Sequence, residues 1–353
     1  MADNPRPHLF VVGADRSGTT LLRLMLNEHP RLSVGPETWF FQPLAARFDV
    51  SAQLSAAEVE EAVGLVLAHP RFREYPVTEA QFRQGVAALQ RPTAGGVFAV
   101  LPGLIAAREG KGLFGDKTPG YSHCVPELAR AFPEAKFVHI VRDARDVALS
   151  LIRVGWYGGQ PWRSAQHWRE RVGDCERARA DLGPERMIRI DYPDLVLGTE
   201  EVLQRLCAFL GIEFHQAMLG FHERSQQTVL ASEQTIHQKT TRPPSPSDVD
   251  VWKRDADRRL LLYVEGGAGR LMRRVGQEPA LKGAWAGLAR LAWCWALLRM
   301  HLLYPLRRHL LLLTRGEGEW EDPVEASLRQ QMERAGSPGD GSEPAAGPMN
   351  GTT

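Results

Sequence analysis

Residues 11–26, VVGADRSGTTLLRLML, place Gly13 and Gly18 five apart, the glycine spacing of a phosphate-binding loop. A loop built for nucleoside triphosphates follows its second glycine with lysine. Here Thr19 stands at that place, and Thr20 follows. Successive backbone N–H groups over residues 15–20, Ser17 and Gly18 among them, would converge on an anion at the start of the next helix. Thr19 and Thr20 add hydroxyl donors. Positive charge comes from Arg16 inside the loop, and a guanidinium can fork two bonds onto a phosphate or sulfate oxygen pair without a metal. The chemistry these residues predict is capture of an oxyanion without the lysine and Mg²⁺ of a triphosphate site.

Such a loop needs a strand before it and a helix after it. HLFVVG is a short apolar run ending in glycine, as in a buried parallel strand. TTLLRLMLNEHP has helical spacing of Leu21, Leu22, Met25 and Leu26, with Pro30 as its stop. AKFVHIVRDARDVALSL reads as a second strand over residues 137–141 running into a helix. RMIRIDYPDLV reads as a third, followed by the amphipathic TEEVLQRLCAFLGI with Gly211 as its C-cap. Strands alternating with helices predict an α/β fold, a P-loop-like three-layer arrangement with a central parallel sheet flanked by helices. Residues 52–112 read mostly as helices, giving a helical insertion over about 43–112. The chain has 353 residues and a formal net charge of +1, which gives no global attraction to nucleic acid. Cys124, Cys175, Cys207 and Cys294 lack metal-ligand spacing and read as packed, reduced thiols. No signal peptide is read, since the apolar run at residues 9–12 is too short.

GADRSGTTLLRLMLNEHP resembles the 5′-phosphosulfate loop of sulfotransferases that use 3′-phosphoadenosine 5′-phosphosulfate (PAPS), in the R-S-G-T-T form of protein-tyrosine sulfotransferases and many bacterial relatives. The cytosolic steroid and phenol enzymes carry lysine where Arg16 stands. The family's second motif is a strand ending in arginine with serine eight residues later, and VRDARDVALS supplies Arg142 and Ser150. The resemblance covers roughly residues 8–275 and is strongest at these two motifs. It implies that Arg16, Ser17, Gly18, Thr19 and Thr20 hold the 5′-phosphosulfate of PAPS and that Arg142 and Ser150 hold its 3′-phosphate.

Three further segments match less specifically. VGPETWF puts Glu37 twenty-one residues after Arg16, where the tyrosine-sulfating relatives carry a glutamate base; a surface glutamate fits the same residues. GDKTPGY resembles the lysine-bearing segment that stabilises the transferring sulfuryl group, with Lys117 at the matching place; an exposed turn lysine before Pro119 is the other reading. DYPDLV resembles the segment near the adenosine, with Tyr192 as its tyrosine, and a core tyrosine at a strand end fits as well. Trp156, Trp162 and Trp168 could line an acceptor cleft, although packing is the commoner use of such aromatics. Lys239, Arg242 and Lys253 are open choices for a remaining donor contact, and His237 and His123 for a second acid–base group.

The activity implied is in-line sulfuryl transfer to an acceptor hydroxyl, with Glu37, Arg16 and Lys117 as the catalytic groups and no metal. The acceptor is left open among carbohydrate, lipid, protein tyrosine and small metabolite. Competing readings are a P-loop nucleotide kinase or NTPase, with Asp143 as a Walker B-like acid, and a non-catalytic nucleotide-binding module.

Beyond residue 275 the composition changes. Residues 281–315 hold Lys282, Arg290, Arg299, Arg307, Arg308 and Arg315 and no acid. They predict a basic, hydrophobic helical extension over 276–315, and residues 316–353 an acidic, disordered tail. Uncharged stretches reach only about eight residues, against the roughly 20 a spanning helix needs. As one helix, bent at Pro305, the segment would gather every one of these basic residues except Arg299 on one stripe. Two readings follow: an interfacial membrane helix, or an arm packed on the catalytic domain or on a second subunit of a homodimer. The secretory relatives carry an N-terminal membrane anchor and none is read here. The expected location is therefore cytoplasmic, in a bacterial-type enzyme, peripheral at the inner membrane face if the extension binds lipid.

Overall fold

The computed structural model describes residues 7–223 and 241–299. Five parallel strands form one sheet: β1 (Leu9–Gly13), β2 (Leu32–Val34), β3 (Leu113–Lys117), β4 (Lys136–Val141) and β5 (Met187–Asp191). Their order is β2-β3-β1-β4-β5, so β1 lies at the centre, with Val11 paired to Lys117 on one side and to Val138 on the other. Side chains alternate along β1 as a strand requires. Phe10 and Val12 enter the core on one face, with Phe98, Phe132 and Phe137. Leu9 and Val11 enter the other, with Val138, Ile140 and Ile190. The strands read in HLFVVG, over residues 137–141 and in RMIRIDYPDLV are all present, and so is the C-cap at Gly211, in the left-handed region at φ 73°.

The strands β2 and β3 were not anticipated. β2 is only three residues long, below the reach of a periodicity reading. β3 is LFGDK, with a glycine and two charges where a central strand is normally apolar. Its glycine has a packing reason. A Cβ at Gly115 would lie 2.7 Å from the Leu9 carbonyl of β1.

Helices flank the sheet: α1 (Thr19–Asn27), α2 (Phe41–Arg47), α3 (Ala56–Ala68), α4 (Glu79–Ala87), α5 (Ala94–Arg108), α6 (Val125–Ala131), α7 (Ala144–Arg153), α8 (Pro161–Leu182), α9 (Tyr192–Leu197) and α10 (Thr199–Leu210). The helical insertion is α2 to α5. Its starts are written locally: Ser55 with Glu58 and Thr78 with Gln81 form capping boxes, and Thr93 caps α5. Three more helices close the described chain: α11 (Trp252–Asp255), α12 (Arg258–Arg274) and α13 (Ala284–Leu298). α12 shares a third core cluster with α7 and α8, and α13 joins it through Trp293. All four cysteines are free thiols; Cys175 and Cys207 are buried, whereas Cys294 is exposed on α13 rather than packed. Arg307, Arg308, Arg315, Pro305 and the acidic tail lie outside the described residues.

Candidate active site

Every strand of the sheet delivers a candidate residue at or just past its carboxyl end. β1 leads into the loop holding Arg16, β2 is followed three residues later by Glu37, β3 ends on Lys117, β4 is followed by Arg142, and β5 is followed by Tyr192. The carboxyl edge of an open parallel sheet is where this architecture forms its crevice.

The loop is shaped for an anion. Gly18 sits at φ 97°, and a Cβ there would lie 2.5 Å from the Tyr192 ring, so only glycine fits. Gly18 is also the N-cap of α1, with no side chain capping the first turn and no acid in it. The leading N–H groups of that nine-residue helix are therefore offered to a ligand. Ser17 Oγ is fully buried and has no hydrogen-bond partner among the described residues. A buried hydroxyl in that state is costly unless something accepts from it or donates to it, and a phosphosulfate oxygen meets that need.

Two guanidiniums converge beside the loop. Arg16 Nε donates to Ser150 Oγ at 3.1 Å, and Arg142 Nη1 donates to the Arg16 carbonyl at 3.3 Å. The Arg142 guanidinium lies 4.5 Å from the centre of the Tyr192 ring, a cation–π stack, and Arg142 Nη2 donates to the Asp248 carbonyl at 3.1 Å. Burial, and then the charge of Arg142, hold Arg16 below the usual guanidinium range. Two cations so close favour an anion with more than one negative charge. Arg242 joins the same corner through its ion pair with Asp248 at 2.8 Å. Lys253 instead pairs with Asp250 on the surface, while Lys239 and His237 lie outside the described residues.

Lys117 ties the loop to the glutamate. It is wholly buried, and its Nζ donates to Glu37 Oε1 at 2.6 Å and to Thr20 Oγ1 at 3.2 Å. This rules out the exposed-turn reading of Lys117. The other Glu37 oxygen accepts from Trp39 Nε1 at 3.0 Å. A buried brace positions the Glu37 segment. Thr38 Oγ1 donates to Asp116 Oδ2 at 2.8 Å, the Thr38 amide donates to Thr118 Oγ1 at 3.1 Å, and Tyr121 Oη meets Thr38 Oγ1 at 2.8 Å. Tyr75, from the helical insertion, donates to the Glu37 carbonyl at 2.9 Å. Burial pushes the Asp116 carboxyl up to about 7, against the hydrogen bond from Thr38 and the neighbouring Lys117 charge.

α8 contributes residues that the sequence reading missed or assigned differently. His167 Nε2 lies 3.1 Å from the Asp15 carboxylate and 3.3 Å from the Asp15 amide, and its Nδ1 meets Tyr157 Oη at 2.8 Å. Burial alone would raise the Asp15 carboxyl, but the hydrogen bond and charge of His167 outweigh it and hold it low. Trp168 does not line a cleft: it is fully buried and its Nε1 donates to the Arg142 carbonyl at 2.9 Å, bracing that arginine from below. Trp156 and Trp162 pack against the third core cluster. His123 pairs with Asp174. Asp143 does not resemble a Mg²⁺ ligand, because both its oxygens are taken by Arg145 as it caps α7. No local signal marks His167 or Trp168, since their roles depend on where a 22-residue helix crosses the sheet.

Comparisons with known proteins point to one family. Residues 7–216 match the model of a family described as the sulfotransferase family. A candidate protein-tyrosine sulfotransferase of Caenorhabditis briggsae is 27% identical over 232 residues, covering 63% of this chain and 72% of the relative. The protein-tyrosine sulfotransferase of Drosophila melanogaster is 25% identical over 224 residues, covering 62% of this chain; the match spans only 40% of that longer protein. Among solved structures, the sulfotransferase domain of the Synechococcus PCC 7002 olefin synthase superposes with a TM-score of 0.53 at 23% identity, covering 82% of this chain and 95% of that one. At that identity the likeness speaks for the fold alone.

Proposed function

The chain belongs to the sulfotransferase family, and we propose that it moves the sulfuryl group of PAPS to an acceptor hydroxyl, with Glu37 as the base. The observation that carries the reading is Lys117. One buried ammonium bonds both the anion loop, at Thr20, and the candidate base, Glu37. Donor and acceptor chemistry therefore meet at a single atom.

In this reading the 5′-phosphosulfate sits on the residue 15–20 amides, with Ser17, Thr19, Thr20 and Arg16 on its oxygens. The 3′-phosphate sits on Arg142 and Ser150, and Tyr192 stands at the adenosine end beneath Gly18. When donor is bound, Lys117 turns from Glu37 to the sulfuryl and bridging oxygens, and the freed carboxylate faces the acceptor. The acceptor oxygen attacks sulfur in line, and its proton passes to Glu37. The sulfur–oxygen bond to the 5′-phosphate breaks, and adenosine 3′,5′-bisphosphate leaves with the electron pair. Arg16, Lys117 and the loop amides offset the charge that grows on the leaving oxygens. The leaving group gains less charge than in γ-phosphoryl transfer, so the mechanism needs no divalent ion. The relatives' names make a peptide tyrosine the first acceptor to try, followed by carbohydrate, lipid and small phenols.

Calorimetry with PAPS, adenosine 5′-phosphosulfate and Mg·ATP tests the donor assignment. Charge-assisted contacts contribute about 1.5–3 kcal/mol each. PAPS should therefore bind at least about tenfold more tightly than the nucleotide lacking the 3′-phosphate, and Arg142→Ala should remove most of that difference. Equal affinity for the two in the wild type, or Mg²⁺-dependent ATP binding in their place, would refute it.

A further inference from the structure

The described surface carries six large, exposed apolar side chains, and five of them are on α13: Trp285, Leu288, Leu291, Trp295 and Leu298, exposed by 41%, 47%, 66%, 53% and 44%. At about 100° per residue these five fall within an arc of roughly 140°. Ala284 and Ala292 fill the same arc, and Arg299 closes its far end. The opposite face of α13 is already used. Ala289, Trp293 and Ala296 are buried against α12, where a Cβ on Gly266 would come within 2.1 Å of the Ala289 carbonyl and one on Gly267 within 2.4 Å of the Trp293 ring. The two glycines let α13 press directly onto α12, so its outer stripe is held on a rigid base. The packed-arm reading thus accounts for one face of α13, while the basic stripe expected from the sequence does not coincide with the exposed apolar face: Arg290 lies outside that face, and Arg299, the residue left off the expected stripe, lies within it.

We propose that the outer face of α13 is a docking surface for an anionic lipid bilayer. The argument is charge together with apolarity. Arg299 lies inside the apolar stripe, whereas Arg290 falls outside it on the flank nearer the packed face, and α13 itself carries no acid. Arg258 of α12 adds a guanidinium 4.4 Å from the centre of the Trp285 ring, beside the stripe. A tryptophan near each end of the stripe suits a headgroup boundary, where an apolar ring and its N–H can both be accommodated. A second copy of this chain is a poorer occupant, because a two-fold contact would set Arg258 and Arg299 against their own copies. Among the described residues no helix is long and apolar enough to cross a membrane, so the contact is peripheral. The proposal does not depend on the identity of the sulfuryl acceptor.

Vesicle co-sedimentation of the full chain tests it, with phosphatidylcholine vesicles and with vesicles that add phosphatidylserine. Wild-type protein should sediment with the anionic vesicles, bind the neutral ones several-fold less, and be released as salt shortens the Debye length. The double variant Leu291→Glu, Trp295→Glu should lose binding by about tenfold or more, since both side chains would otherwise be buried at the interface. Its melting temperature should stay at the wild-type value, because both positions are outside the packed face. The control Leu197→Glu alters the one other exposed large apolar residue among those described, on α9, and should bind as wild type does. The proposal is overturned if wild-type protein ignores anionic vesicles, or if the double variant binds them unchanged. A solution dimer that the double variant dissolves, without vesicle binding, assigns the face to a second copy and also overturns it.

Discussion

Replacing Glu37 by glutamine removes one charge and almost no volume, which makes it the sharpest test of the site. Two effects separate. The first is catalytic. Without a carboxylate the acceptor proton has no base, and turnover should fall by roughly 10²–10⁴-fold, an increase of about 3–5 kcal/mol in the barrier. The second is structural. Lys117 is 0% exposed and Glu37 14% exposed, so their 2.6 Å pair is largely screened from water. Breaking a fully buried pair costs about 3–5 kcal/mol. Here the loss should be nearer 1–3 kcal/mol, because the glutamine carbonyl can still accept from Lys117 and Thr20 keeps its contact. For a domain of this size each kcal/mol moves the melting temperature by about 2–4 °C. The variant should therefore melt several degrees lower without donor and recover part of the difference when PAPS is added, as Lys117 gains the sulfuryl oxygens as partners. PAPS affinity should not weaken. Initial rates with labelled donor, calorimetric affinity and melting curves with and without donor read the three quantities. Activity within about threefold of wild type would refute Glu37 as base, and His167, held against Asp15 beside the loop, would become the next residue to test.

Other outcomes follow from the same geometry. Gly18→Ala forces an L-residue to φ 97° and drives its Cβ into the Tyr192 ring; about 1–2 kcal/mol of backbone strain plus displacement of Tyr192 should lower the melting temperature and weaken PAPS binding at least tenfold, and unchanged calorimetric affinity would contradict the stacking of loop and ring. Asp116 has its folded value raised to about 7 from an ordinary 3.8, so the folded state binds a proton that the unfolded chain has already lost. The stability this contributes is fully present below about pH 4 and is lost as pH rises through 7, a decline of order 4 kcal/mol. Asp116→Asn should flatten that part of the melting-temperature profile between pH 5 and 8, and parallel profiles for wild type and variant would show that Asp116 does not titrate there.

The donor loop was legible because its chemistry is local. Gly13, Arg16, Gly18 and the paired threonines are contiguous, and a strand, a turn and a helix start are all written in that one stretch. Arg142 and Ser150 were legible for the same reason, since a strand end and the helix after it fix their spacing. The strand β1 announces itself as a continuous apolar run, and β4 and β5 as short β-branched segments leading into helices, KFVHIV and MIRID. β3 does not, because LFGDK carries its charges at the end that points into the site. The sequence alone left Lys117 between an exposed turn and a catalytic role. Only the sheet order decided it: β3 lies inside the sheet between β2 and β1, so its last residue emerges between Glu37, 80 positions earlier, and Thr20, 97 positions earlier. Trp168 and His167 belong to the same class. Each lies on a long amphipathic helix with nothing local to mark it, and each acquires its role from the turn of α8 that happens to face Arg142 or Asp15. The sequence by itself therefore determined which groups make up the candidate anion loop, through a turn and helix starts built from neighbouring residues. The tertiary structure decided which charges are buried and what they touch, because burial and pairing depend on strand order and helix crossing, which bring together residues such as Asp15 and His167, 152 positions apart.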